Sequence, residues 1–313
     1  MNMGRSLFIV LLVFLTAACS GFATVGLDDV LSCLETKGIL VDRPQAVRGG
    51  IEGILKAIDP GAFIGAGESG AAAGQGATGT LAVATVEIWP EDIAYLKVDA
   101  LAKGSGREIL DHLRALEGKA GVILDFRGAA GEDLDSVSQL GGIGRSEGDP
   151  LFVVTDNQDK PLSTNVVGIG VSFHAPLMVL IDRQTRLAAE ALAALWHGRP
   201  GIMLIGSATA GDARFREALT LPGGQLITLA TRKFLPLEAA CYEGHGVCPD
   251  VDVACDVEAG ITMLSSTNLP ARPLSMKSEK DRELMHRVEG DVALRRATDI
   301  LLGLRTLSGY GQR

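Results

Sequence analysis

Apolar residues in the second half of the chain fall in short unbroken blocks. Pro176 to Ile181 (PLMVLI), Ile202 to Gly206 and Gln225 to Thr231 (QLITLAT) each have strand length and are bounded by turn formers, so they predict buried strands. Between the first two lies Ala188 to Trp196 (AAEALAALW), apolar on nearly every side, which predicts a helix. The block Gly246 to Val253 closes this run. Earlier in the chain, Leu27 to Lys37 and Arg43 to Ile58 repeat apolar residues at helical spacing, and the second stops at Asp59-Pro60 as a helix should. Alternation over Thr80 to Val86, the run Ile93 to Val98 and the run Gly121 to Phe126 predict three more strands. Ser105-Gly106-Arg107-Glu108 has capping-box spacing and introduces a helix that turns Ile109, Leu113 and Leu116 inward.

The intervening stretches carry little apolar pattern. Gly61 to Gly79 is rich in Gly and Ala without periodicity and predicts a flexible linker. Gly141 to Val171 is polar and rich in turn formers, which predicts a surface excursion. Thr267 to Asp281 is a second linker, followed by an amphipathic helix over Asp291 to Leu304.

The amino terminus has a different pattern. A basic start to Arg5, the apolar run Leu7 to Leu15 and small residues from Thr16 to Ser20 form the three parts of a secretory signal. The apolar run is short for a bilayer span. Cys19 after two alanines is a lipidation candidate, and cleavage after Ala23 fits the small-residue rule equally well. Export makes the four remaining cysteines, Cys33, Cys241, Cys248 and Cys255, disulfide candidates. Three connectivities are open, of which Cys241 with Cys248 and Cys33 with Cys255 is preferred. Zinc is disfavoured, because no Cys-x-x-Cys pair accompanies His245.

Length and charge narrow the class. The 313 residues, 47% of them hydrophobic, suffice for a well-filled core, and a net charge of -9 opposes a nucleic-acid or anionic-membrane surface. No phosphate-cradling glycine loop and no His-Glu-x-x-His is present, so no cofactor or metal is expected.

Several segments together resemble the carboxy-terminal processing, or tail-specific, proteases. Asp59-Pro60 ends the amino-terminal helices as in that family, Ile93 to Val98 is similar to a family strand, and Asp125-Phe126-Arg127-Gly128-Ala129-Ala130-Gly131-Glu132 is close to its Asp-Leu-Arg-x-Asn-x-Gly-Gly turn. The resemblance implies an α/β fold with a crotonase-like (ClpP-like) spiral core. It also implies a division into a signal peptide (1–19), an amino-terminal helical segment (20–60), a linker in place of a PDZ domain (61–79), the protease-like core (80–256), and a linker with a closing helix (257–313).

The resemblance locates the family's chemistry and its loss. Thr185-Arg186-Leu187-Ala188-Ala189-Glu190 matches the family's Ser-Ala-Ser-Ala-Ser-Glu, so Leu187 stands at the nucleophile's place. Gly206-Ser207-Ala208-Thr209-Ala210-Gly211-Asp212-Ala213 matches the turn that carries the lysine base, so Asp212 replaces the lysine, and Arg216 replaces a glutamine four residues on. Gly131 keeps the place of the glycine whose backbone faces the oxyanion, while Glu132 replaces the second glycine. A serine–lysine dyad needs an amine that takes the hydroxyl proton as oxygen attacks carbon, and leucine has no lone pair to attack with.

What is expected is therefore a pseudoprotease of the periplasm or envelope, binding a polypeptide or envelope protein partner and touching a membrane only through a Cys19 lipid anchor. Thr185, Ala188 and Thr209 are its candidate groove residues. The alternative is an active serine-type endopeptidase with a rearranged site. Asp125 and Arg127 read as a structural ion pair, and His174 and His197 as structural histidines without a serine partner.

Overall fold

The computed structural model describes residues 26–39, 42–59, 61–65, 82–168, 170–221, 224–237, 242–253 and 279–310. The signal, Cys19, Cys241, Cys255 and most of both linkers lie outside those residues. The chain divides into one unit ending at Phe63 and a second from Ile64 onward, and strand β1 (Phe63–Gly65) lies across the division.

The first unit holds two helices, α1 (Leu27–Thr36) and α2 (Arg43–Ile58). Asp42 caps α2 by accepting the Gln45 N–H, with Pro44 in the first turn, where its missing N–H costs nothing. Arg43 pairs with Glu35 at 2.7 Å and ties the two helices together.

The second unit is built on a sheet of six strands in the order β11-β8-β7-β4-β3-β2, namely Val251–Asp252, Ile202–Gly206, Leu177–Ile181, Gly121–Asp125, Ile93–Val98 and Val83–Trp89. All neighbours run parallel except β2 and β3. Parallel strands covered on both faces have no polar side, which explains the unbroken apolar blocks in β4 and β7. On one face, Leu96, Leu124, Val179 and Phe126 pack with helices α3 (Ser105–Ala115), α4 (Leu134–Gly141) and α5 (Ala188–Trp196). On the other, Ile93, Ile123, Met178 and Ile205 pack with α6 (Glu279–Gly290) and α7 (Val292–Tyr310) through Val288, Leu294, Ala297 and Leu301. A Cβ at Gly121 would stand 2.3 Å from the Leu301 side chain, so a larger residue there would force that side chain to shift.

A second, antiparallel sheet joins β6 (Pro161–Val166) to β5 (Pro150–Thr155), β5 to β10 (Leu226–Pro236), and β10 to β9 (Arg214–Thr220). Phe152, Phe215 and Phe234 meet there and bury their rings in the core of the first face.

Three expectations need correction. The excursion over 141–171 is not a loop, since its PLFVVT run is β5, with Leu151, Phe152 and Val154 buried. The linker ending at Asp281 gives way to α6 at Glu279. The capping box at Ser105 does not form. Gly104 takes the cap position, Ser105 donates to the Ala102 carbonyl, and Glu108 accepts instead from the N–H groups of Ala82 and Val83, fastening the start of β2. Cys33 and Cys248 are exposed, and their expected partners Cys255 and Cys241 lie outside the described residues. No described helix is long and apolar enough to cross a membrane.

Candidate functional site

The site is assembled where two turns meet at the carboxyl ends of β4 and β7. Strand β4 delivers Asp125 and then the turn 126–132, and β7 delivers the turn that leads into α5. Two backbone bonds hold the turns together: Arg186 N–H donates to the Ala129 carbonyl at 3.1 Å, and Ala188 N–H donates to the Gly131 carbonyl at 2.8 Å. Gly131 has φ +137°, and a Cβ there would lie 2.2 Å from the Leu101 carbonyl oxygen. Only glycine fits both that angle and that approach.

Leu187 caps α5 with φ 55° and ψ -123°, a conformation disfavoured for any residue with a Cβ, and its side chain is 3% exposed. The elbow into α5 is thus strained, and it carries an aliphatic side chain that is buried in the protein.

Glu190, one turn along, is the one charged residue of α5 and has no exposed surface. Its carboxyl accepts from the Thr209 hydroxyl, from the Gly211 N–H and, at 2.9 Å, from the Asp212 N–H. Thr209 in turn accepts the Val247 N–H at 2.7 Å. Burial pushes the Glu190 pKa upward, against the pull of these three donors. The result is a clamp that fixes the backbone of the turn ending in Asp212.

The Asp212 side chain points into an ion pair with Arg216 at 2.7 Å. Glu132 joins the same electrostatic neighbourhood. The protein packed around its carboxyl raises its pKa, and the charge of Asp212 adds to this, while Arg232 and Arg216 oppose it. Glu132, Asp212 and Arg216 thus share one electrostatic neighbourhood, and the Ala188–Gly131 bond sets Leu187 beside the glycine turn. The candidate groove residues Thr185, Ala188 and Thr209 lie in the same turns, and all three are buried. Thr185 donates to the Phe126 carbonyl at 2.9 Å and accepts the Asp182 N–H at 3.0 Å, so its hydroxyl is held inside the turn rather than offered to a ligand or to the helix cap.

Asp125 and Arg127 form the expected ion pair in a larger network. Arg127 donates to both Asp125 oxygens at 3.0 and 2.8 Å and reaches Asp291 at 2.6 Å, while the Tyr95 hydroxyl donates to Asp125 at 2.9 Å. Burial and the neighbouring Asp125 carboxylate raise the Tyr95 pKa. The network locks the turn to the start of α7.

His197 lies 3.5 Å from Asp250, whose other oxygen accepts the Leu204 N–H. His174 departs from expectation. Its Nε2 is 3.2 Å from Ser172 Oγ and its Nδ1 is 2.9 Å from Glu117, the connectivity of a hydroxyl, base and carboxylate relay. The Ser-x-His spacing was visible in the sequence, but Glu117 lies 57 residues away. The imidazole is 81% exposed, so water competes at every member, whereas acyl transfer relies on donors working in a water-excluded site. The trio reads as a surface chain of hydrogen bonds fastening residues 172–174 beside the end of α3.

Comparison with known proteins accords with this geometry. The model of peptidase family S41 matches residues 92–253. The chain is 26% identical over 177 residues to the carboxy-terminal processing protease CtpA of Bacillus subtilis (strain 168), covering 55% of this chain and 38% of that protein. It is also 26% identical over 164 residues to the chloroplastic carboxyl-terminal-processing peptidase 3 of Arabidopsis thaliana, covering 50% of this chain and 31% of the relative. The matches thus span well under half the length of either relative. A solved structure of a lipoprotein from Streptococcus agalactiae is similar in fold, with a TM-score of 0.51 at 20% identity, covering 74% of this chain and 85% of that one. The α/β class with a tail-specific protease core is borne out.

Proposed function

The chain belongs to peptidase family S41, and from that premise we infer that it is a pseudoprotease, an exported member that binds a polypeptide or envelope protein partner without cutting it. The observation that carries this reading is the pairing of Leu187 with the Ala188–Gly131 bond. The nucleophile's place holds a buried aliphatic side chain, and the N–H next to it is spent on a carbonyl of the protein itself. Asp212, at the place of the base, is neutralised by Arg216. The elbow, the Glu190 clamp and the glycine turn persist around these changes, which fits retention of the scaffold for binding. Export follows from the amino-terminal pattern, with Cys19 as the lipidation candidate.

The second reading, a serine-type endopeptidase with a rearranged site, has one observation in its favour, the Ser172–His174–Glu117 chain. Incubation of the purified protein with an unfolded protein substrate, followed by mass spectrometry, and treatment with a serine-reactive fluorophosphonate separate the two. The pseudoprotease gives neither new termini nor labelled serine. Cleavage that disappears in Asp212→Ala, or label on Ser172 that disappears in His174→Ala, overturns it.

A further inference from the structure

The turn 126–132 is bonded on two sides. Toward the elbow of α5 it uses three backbone groups: the Gly128 N–H donates to Asp182 Oδ1 at 3.0 Å, the Ala129 carbonyl accepts from Arg186, and the Gly131 carbonyl accepts from Ala188. The last two bonds, at 3.1 and 2.8 Å, fall immediately before and after Leu187. A side chain at φ 55° and ψ -123° persists only where its surroundings over-determine the backbone. These flanking bonds fix both ends of the strained residue.

On its other side the turn is held by Arg127, whose guanidinium donates to both Asp125 oxygens and to Asp291 Oδ2. Asp291 also caps α7: its Oδ1 accepts the Leu294 N–H at 3.0 Å, and its carbonyl accepts the Arg295 N–H at 2.8 Å. One carboxylate therefore holds the start of α7 with one oxygen and the glycine turn with the other. The preceding helix bears on the same network. Arg287 of α6 lies over the Trp89 and Tyr95 rings, at 5.2 and 5.1 Å, and the Tyr95 hydroxyl donates to Asp125.

We propose that the corner between α6 and α7 is a latch on the strained elbow. The Asp291–Arg127 pair keeps the turn 126–132 against residues 186–188, and release of the pair lets Leu187 leave its positive-φ conformation. Neither partner is sealed from water, their side chains being 26% and 25% exposed, so the pair can part without unfolding the sheet. The elbow then has two arrangements, strained and closed or relaxed and open, and the start of α7 biases the balance between them. A partner that binds more tightly when this corner is displaced would open the place of the lost nucleophile. The latch acts on the site whether or not the protein cleaves, because what it moves is the backbone of the elbow. Its failure is therefore distinct from that of the pseudoprotease reading.

The test is amide hydrogen exchange of the full chain, read at the N–H groups of Arg186 and Ala188. Asp291→Ser keeps a capping hydroxyl for α7 but is too short to reach Arg127, and Asp291→Asn keeps the shape without the charge. Exchange at both amides should rise at least about tenfold in the serine variant and by less in the asparagine variant, with the amides of α3 unchanged. In a Leu187→Gly background, where no strain is left to release, Asp291→Ser should change the same amides by no more than about twofold. If that background does not fold, the order wild type, asparagine, serine at the two amides decides. Unchanged exchange at the elbow in Asp291→Ser overturns the proposal. So does an equal rise in α3, which would mean general loosening, or a full rise in the glycine background, which would mean that the pair does not act through Leu187.

Discussion

The N–H of Ala188 donates to the carbonyl of Gly131 at 2.8 Å, closing the elbow of α5 onto the turn that follows β4. In an acyl-transfer site a donor next to the nucleophile is aimed at the place where negative charge develops. Here it is aimed at a neutral carbonyl of the same chain. For this N–H to serve an oxyanion beside residue 187, it must first leave its present partner. An amide left without a partner inside the protein carries a desolvation cost of about 1–3 kcal/mol.

Leu187 itself gives a clean measure of the strain in the elbow. At φ 55° and ψ -123° a Cβ is unfavourable, whereas glycine is at ease. Both Leu187→Ala and Leu187→Gly lose the buried side chain, at a cost of about 2–5 kcal/mol. The glycine variant alone also loses the strain. Leu187→Gly is expected to be more stable than Leu187→Ala by about 1 kcal/mol, the reverse of the usual order in a helix. Urea unfolding of the two variants decides this, and an alanine variant equal to or more stable than the glycine variant would show an unstrained elbow.

Much of the sheet was legible because buried parallel strands announce themselves as apolar blocks: β3, β8 and α5 match the predicted bounds to the residue, and β7 nearly so. Strand β9 was not legible, since its RFREALT sequence is mostly polar and only Phe215 is fully buried. Strand β5 hid between turn-rich flanks. At the site, the positions of Leu187 and Asp212 could be read from the motifs around them, but their partners could not. That Asp212 pairs with Arg216, or that Ala188 bonds to Gly131, depends on how two distant turns meet. The same reason hid Glu117 beside His174.

The Asp125 network offers a test at low pH. The Asp125 side chain is 3% exposed, and burial pushes its pKa up, but Arg127 and Lys97 outweigh burial and the net direction is downward. A carboxyl whose folded pKa lies below its unfolded value adds stability that is present above the unfolded value and is lost as pH falls through the folded one. Asp125→Asn should cost about 3 kcal/mol near neutral pH, because it leaves Arg127 half-paired in a largely buried position. It should also flatten the fall of stability in acid. Denaturant titrations over a descending pH series check both, and parallel wild-type and variant curves would refute the assignment.

Glu190 should show the opposite dependence. Its burial outweighs the donors from Thr209, Gly211 and Asp212, and the charge of Asp212 adds to burial, so the folded pKa lies above the ordinary 4.5. The folded protein then holds the proton more tightly than the unfolded chain does. The corresponding stability is complete below the unfolded value and is lost as pH rises through the folded one. Glu190→Gln keeps the shape and removes the titration. The wild type should therefore lose stability relative to this variant as pH climbs upward from about 4.5. The difference between the two unfolding free energies across that range isolates Glu190 from every other titrating group. A difference that grows in the wild type's favour as pH rises would mean that the three donors outweigh burial, and that the clamp holds a stable carboxylate anion.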